Sequence, residues 1–424
     1  MNKGVCKSLL VYLYTFFIIY MPRISDLLIN VPIEVFSGIL LYFVFIYRIL
    51  IFKKNKRKLT IKTNILFLIV GILISSIYFL LRAFINYNDL RIIQNSFIII
   101  QIIHVIFLID LMENFGYKRD NMINVLLKLG SLQGIICILM LIVPNFRQLA
   151  LNLYYLGREE NIFISQMRIY GISGDYTFFT PIYHGMLASV AFFYATFKNR
   201  RYFVYIPFIL VSVFLNGRFG LLIFLTGIFT LLVYLFYKKK VSIKLAKYLF
   251  LLIILIIVFF SLLHSLTPHT YDWIISGFEE LLNLIIYNER TGNVQILHDM
   301  LFFPNGAGLI FGEGHRVFGS NSGYPYSSDI GYVNDLFMGG LIYVFILYGT
   351  IFKFLLKKVD PLLDENKNDR YINEIISIFL VLTLIISNYK GESMRSGLIL
   401  LGAVFIKLIL MQSNNSLHME SIRV

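Results

Sequence analysis

Long apolar runs recur along the whole of this chain, and they constrain its fold more than any other feature. Twelve of them are read at 8–21, 31–52, 63–85, 92–112, 123–143, 177–197, 202–216, 219–237, 245–267, 329–352, 371–389 and 395–412. Most approach the ~20 residues that a helix needs to cross a hydrocarbon core. Backbone N–H and C=O groups find no water there, so each run must satisfy its own hydrogen bonds as a helix or close into a barrel. The runs are continuous and lack the period-two alternation of membrane strands, which predicts an all-α fold of about twelve transmembrane helices. With 58% hydrophobic and 15% charged residues and a mean hydropathy of +0.75, a soluble domain is excluded. The whole of 1–424 is read as one integral-membrane domain. The run 8–21 is taken as the first span because no small-residue cleavage site follows it.

The charge of +14 would suggest a nucleic-acid surface if the cations were mixed, but they are sorted by gap. Every second gap is lysine-rich: 53–58, Lys118-Arg119, Lys198 to Arg201, Lys238 to Lys247, and Lys353 to Arg370. The positive-inside rule makes these gaps cytoplasmic anchors with no specific ligand. Both termini then lie inside, and no nucleic-acid partner is expected. The opposite gaps carry arginine instead: Arg23, Arg82, Arg91, Arg147, Arg158, Arg168, Arg218, Arg290, Arg316 and Arg395, with Lys390 the single lysine. Insertion does not ask for these. Arginine offers a planar fork of donors suited to phosphate or carboxylate, so an anionic ligand on the outer side is implied. Arg23, Arg82 and Arg91 are read as solvated or snorkelling side chains.

Two outer loops stand out. The smaller, 144–175, holds Arg147, Arg158-Glu159-Glu160 and Arg168, the two acids being read as neutralising the arginines beside them. The larger, 268–328, is far longer than an ordinary connection, and such loops are usually functional. It begins with an amphipathic run from Trp273 to Ile286, expected as a helix on the outer membrane surface. It continues through Arg290 and His298 to the glycine-rich 305–314, His315 and Asp329. His184, inside an apolar run, is expected to be a hydrogen-bonded structural histidine.

Arg218 sits in the turn Asn216-Gly217-Arg218-Phe219-Gly220. The run before it would rise only about 22 Å, short of a hydrocarbon core of roughly 30 Å. The turn is therefore expected to be recessed, and a guanidinium there needs a partner or a ligand. A salt bridge to Asp175 or Asp329 is the structural alternative.

At these residues the chain resembles the O-antigen and capsule repeat-unit polymerase (Wzy-like) and O-antigen ligase superfamily, membrane glycosyltransferases of the GT-C type. Four features over about 165–350 carry the resemblance: Arg168-x-x-Gly171 leading into a span, Gly217-Arg218-Phe219-Gly220, the Arg290-led long loop, and the segment from Ser328-Asp329-Ile330-Gly331-Tyr332 to Gly339-Gly340-Leu341. The resemblance implies transfer of an oligosaccharide carried on undecaprenyl diphosphate, donor and acceptor both, at the outer face of the bacterial cytoplasmic membrane. It implies no cofactor and no metal, and a flippase and a chain-length regulator as candidate partners besides membrane lipid. By the same resemblance Arg218 and Arg290 would grip the diphosphate, with Arg168 helping and Arg158 on the same basic edge. Arginines that stabilise a departing diphosphate leave only the acceptor hydroxyl to be oriented and deprotonated.

Ligases of this superfamily carry a histidine-asparagine pair where this chain has Ser328-Asp329, which favours a polymerase. Asp329 becomes the candidate base, with His298 and His315 behind it; an acid in the first turn of a helix could equally serve the helix dipole. Ligase and flippase readings stay open, although a flippase has little use for a sixty-residue outer loop. No phosphate-binding Gly-x-x-x-x-Gly-Lys loop, His-Glu-x-x-His pair or Asp-x-Asp pair is present. Cys6 and Cys137 have neither the spacing nor the shared side for a disulfide or a metal site.

Overall fold

The computed structural model describes residues 3–21, 63–86, 92–155, 168–174, 178–239, 243–318, 327–359, 367–395 and 397–412. Among them no strand occurs. In chain order the helices are α1 (Lys3–Tyr20), α2 (Thr63–Asn86), α3 (Ile92–Asn114), α4 (Arg119–Ile142), α5 (Pro144–Tyr155), α6 (Phe179–Phe197), α7 (Tyr205–Asn216), α8 (Phe219–Tyr237), α9 (Ile243–Leu266), α10 (Pro268–Leu282), α11 (Gly292–Asp299), α12 (Ala307–Phe311), α13 (Gly331–Leu356), α14 (Lys367–Ser387) and α15 (Leu398–Leu410).

Among the described residues six helices, α2, α3, α4, α8, α13 and α14, are long and apolar enough to cross a membrane, and α1, α9 and α15 carry shorter apolar stretches. The twelve expected spans are therefore not matched one for one. The run 31–52 lies outside the described residues, and the run 202–216 divides into a 3-10 turn and a helix of 12 residues. Outward-facing apolar stripes mark a polytopic membrane protein. Leu66, Val70, Leu73, Ile77 and Leu81 recur every three or four residues along α2 and are all exposed, as are Phe229, Val233 and Phe236 on α8.

The bundle is organised around α6, buried from Thr180 to Ala195 and packed against α4, α7, α8, α14 and α15. Lipid gives helices no hydrophobic reason to associate, so close contact depends on small residues. A Cβ on Gly185 would fall 2.1 Å from the Gly220 carbonyl oxygen, and one on Gly220 would fall 2.1 Å from that of Pro181. The glycine at 220 thus serves the α6–α8 crossing. His184 is enclosed beside it, Nε2 2.9 Å from the Tyr20 hydroxyl and Nδ1 bonded to Ser212.

The two ends of the bundle differ chemically. At one end α4 begins, α6 ends and α14 begins, and buried Arg119 and Lys198 close on Asp369 at 3.0 and 2.8 Å, with Lys198 also on Asp120. These two cations, read from the sequence as anchors with no specific ligand, are ion-paired within the fold.

At the other end the described residues 312–318, between α12 and α13, pack onto the bundle. Helix α13 breaks at Gly340, whose φ of +65° is one that L side chains rarely adopt. The break frees the Phe337 carbonyl, which accepts from the Glu313 and Gly314 N–H groups at 2.7 and 3.1 Å. Non-helical backbone at this depth is tolerated because other protein satisfies it. Arg82 donates to the Gly312 carbonyl at 2.6 Å, so it clamps this contact and is not the solvated side chain expected. Asn334 adds a second stitch, accepting from Val317 N–H at 3.1 Å and donating to the Ser328 carbonyl at 2.7 Å.

Candidate functional site

The site is built from three short connections at this second end. The first, 168–174, is pinned to the bundle by Gln133, whose amide brackets Ile172 on both sides, its Oε1 accepting from the Ile172 N–H at 2.7 Å and its Nε2 donating to the Ile172 carbonyl at 2.5 Å. Ile169 N–H donates to the Leu215 carbonyl at 2.9 Å, tying this connection to the end of α7. Arg147 donates to the Arg168 carbonyl at 3.1 Å. Arg147 is thus bonded to the fold, and it supports the backbone at Arg168.

The second connection is Gly217-Arg218, between α7 and α8. Helix α10 lies directly on it. The Arg218 guanidinium is 3.4 Å from the Ser276 hydroxyl and 4.8 Å from the ring centroid of Trp273. A Cβ on Gly277 would fall 1.9 Å from Arg218 Nη1. Arg168 sits over the same indole, 4.7 Å from its centroid. Two guanidiniums from separate elements thereby share one aromatic ring.

The third connection, 388–395, follows α14 and brings Lys390. Burial lowers the Lys390 ammonium from its ordinary range, Asp329 opposes that fall, and Arg168 and Arg218 add to it as like charges. Burial likewise lowers Arg218, against the pull of Glu280, and lowers Arg168, which Arg218 lowers further. Arg218 thus disfavours charge on Arg168, and both arginines disfavour it on Lys390, so three cations gather at this end.

Two acids lie around them. Both oxygens of Glu280 accept from Asn293, through its backbone N–H and its side-chain amide at 3.1 Å, so Glu280 holds the start of α11. Asp329 faces Lys390. Burial raises the Asp329 carboxyl above the ordinary carboxylate range, Lys390 pulls it down and Glu392 pushes it up.

The sequence-read candidates therefore separate. Arg168 and Arg218 come together on Trp273, and Asp329 joins them through Lys390. Arg290 and His298 instead pair with each other at 2.5 Å on an exposed part of the loop. His315 is buried beside Phe337, 3.9 Å from Glu313. Arg158 and Asp175 lie outside the described residues. Arg316 and Arg395 are taken by Glu392 at 2.5 and 2.6 Å, and Arg395 also by Asp335 at 2.8 Å. They hold the third connection in place and are not ligand arginines.

Trp273, Gly277, Glu280 and Lys390 were not singled out as site residues from the sequence. Two signals existed: Trp273 is the only tryptophan in the chain, and Lys390 is the single lysine among the outer cations. Among the described residues no group of three or more histidine, cysteine, aspartate or glutamate side chains gathers as metal ligands. No protein-family model, curated protein or solved structure matches the chain.

Proposed function

We propose that the chain is a membrane glycosyltransferase of GT-C-like architecture with about twelve spans. It would polymerise oligosaccharide repeat units carried on undecaprenyl diphosphate at the outer face of the bacterial cytoplasmic membrane. Both termini lie inside and 268–328 outside. The observation that carries the reading is the convergence of Arg168, Arg218 and Lys390, three cations from three connections, beside a carboxylate held in an elevated pKa range. A diphosphate is the kind of anion such a set suits, because arginine forks bind its oxygens in pairs and a lysine adds a point charge.

In the proposed reaction the acceptor hydroxyl oxygen attacks the anomeric carbon of the donor. The bond from that carbon to the diphosphate oxygen breaks, and undecaprenyl diphosphate leaves with the electron pair. The hydroxyl proton passes to Asp329. Arg168, Arg218 and Lys390 stabilise the charge that grows on the leaving group, where fixed donors contribute most. Arg290 and His298 stand on the exposed loop and are assigned to the glycan.

Deleting the protein tests this reading directly. Single repeat units should collect on the lipid carrier at the outer face, with no polymer. Units trapped inside would make the protein a flippase, and polymer that forms but stays on the carrier would make it a ligase.

A further inference from the structure

We infer that the α10 face formed by Trp273, Ser276 and Gly277 is the positioning element of the anion site, holding Arg168 and Arg218 as one diphosphate-binding pair; the inference rests on reading this site as a diphosphate site. The three residues stand at i, i+3 and i+4, which places them on one face of a helix. All three meet Arg218: the indole at 4.8 Å, the hydroxyl at 3.4 Å, and the bare Cα of Gly277, where a methyl group would fall 1.9 Å from Nη1. A helical face with an aromatic ring, a hydroxyl and a gap in register with one guanidinium is shaped to that side chain.

The same ring reaches Arg168 at 4.7 Å, on an element fifty residues before Arg218 in the chain. Two like charges drawn together need a partner that attracts both. A carboxylate would do so, but it would neutralise the pair and compete with an anionic ligand. An indole attracts each cation through its quadrupole while adding no net charge of its own. The nearby acid, Glu280, attracts Arg218 through space, while both its oxygens accept from Asn293, which holds them toward the start of α11. Glu280 lies on the same helix as Trp273, so the start of α11 also fixes how α10 sits on the arginines.

Trp273 is a positioning residue here, not a catalytic one, and as the only tryptophan it reports on its own site. The test uses the full-length protein purified in detergent, with inorganic pyrophosphate as the probe. Pyrophosphate should change the tryptophan emission saturably, and the Arg168→Gln/Arg218→Gln double variant should abolish the change. Affinity is then measured by calorimetry. Trp273→Leu should weaken pyrophosphate binding about tenfold, and Trp273→Phe, which keeps an aromatic face, should recover most of that loss. Gly277→Ala should weaken binding to a similar degree by displacing Arg218.

A Trp273→Leu protein that elutes and unfolds as the parent does and binds pyrophosphate equally well would overturn the inference, as would failure of Trp273→Phe to bind better than Trp273→Leu. A parent protein that ignores pyrophosphate overturns the anion site itself. These readouts do not use polymer formation. Loss of pyrophosphate binding in Trp273→Leu therefore sustains the inference even if deletion shows that the cell's polymer is made by another protein.

Discussion

Arg395 and Asp335 are joined by a buried ion pair, Nε to Oδ1 2.8 Å, that ties the connection after α14 to the first half of α13. The Asp335 carboxylate also accepts from the Tyr348 hydroxyl at 2.5 Å, and Arg395 reaches Glu392 at 2.6 Å. Glu392 in turn takes Arg316 from the long loop at 2.5 Å. A chain of charges thus runs from the loop through the third connection into α13, and it fixes where Lys390 and Asp329 stand.

Breaking that pair should cost more than the pair itself contributes. Arg395→Ala leaves Asp335 buried without its cation, a change that usually destabilises by about 3–5 kcal/mol. Thermal unfolding of the purified variant should show a lowered midpoint. The double variant Arg395→Met/Asp335→Leu should lose less, since it leaves no uncompensated charge. Equal losses in both would mean that packing, not charge, holds this connection.

Arg218→Lys keeps the positive charge and removes the fork. A lysine can neither match two phosphate oxygens at once nor lie over Trp273 as a planar guanidinium does. Hydrogen bonds to charged groups contribute about 1.5–3 kcal/mol, so transfer should fall roughly ten- to a hundredfold at normal protein level. Polymer quantified against the protein on immunoblots checks this. Unchanged polymer would show that only charge is needed at 218.

The all-helical class is legible in the sequence because a continuous apolar run without period-two alternation can satisfy its backbone in a membrane only as a helix. The break in α13 was not, since Gly339-Gly340 reads as part of a span until Gly312 is found against it. The arginines illustrate a deeper limit. Nothing local distinguishes Arg218, which meets a helix from the loop, from Arg395, which is consumed by Asp335 sixty residues earlier. The sorting of cations over the gaps picks out the arginines read as outer, but only three-dimensional pairing divides those that meet Trp273 from those fastened by Glu392 and Asp335. Trp273 was passed over because its run is amphipathic, and amphipathicity accounts for Ile274 turned into the core without assigning the indole.

On the proposed function, the pH dependence of transfer would follow from Asp329. A base works in its deprotonated form. Because burial raises this carboxyl above its ordinary value, activity should begin to fall on acidification at a higher pH than an unperturbed aspartate, near 4, would allow. Lys390 opposes the rise, so Lys390→Gln should move the acidic limb further up in pH, the opposite of what losing a mere structural contact would do. Asp329→Asn should fold and lose transfer at every pH. The check is a pH–rate profile for polymer formation in membranes from each variant. A limb that stays put in Lys390→Gln would assign the base elsewhere, with His298 the next residue to replace.

Gly340 should be the most sensitive single position for the docking of the long loop. An alanine there would have to adopt a φ of +65°, and its Cβ would fall 2.4 Å from the Ile310 carbonyl oxygen and 2.5 Å from the Gly312 nitrogen. A strained backbone residue of this sort costs about 1–3 kcal/mol before any clash is counted. The cheaper response is for α13 to continue as a regular helix, which would withdraw the Phe337 carbonyl from Glu313 and Gly314 and release the glycine-rich segment. Gly340→Ala should therefore keep its helical content while amide exchange across 307–318 speeds up. Transfer should drop with it, since Val317 and Asn334 position the residues on either side of Asp329. Exchange that is unchanged would mean the loop is held by Arg82 and Arg316 alone.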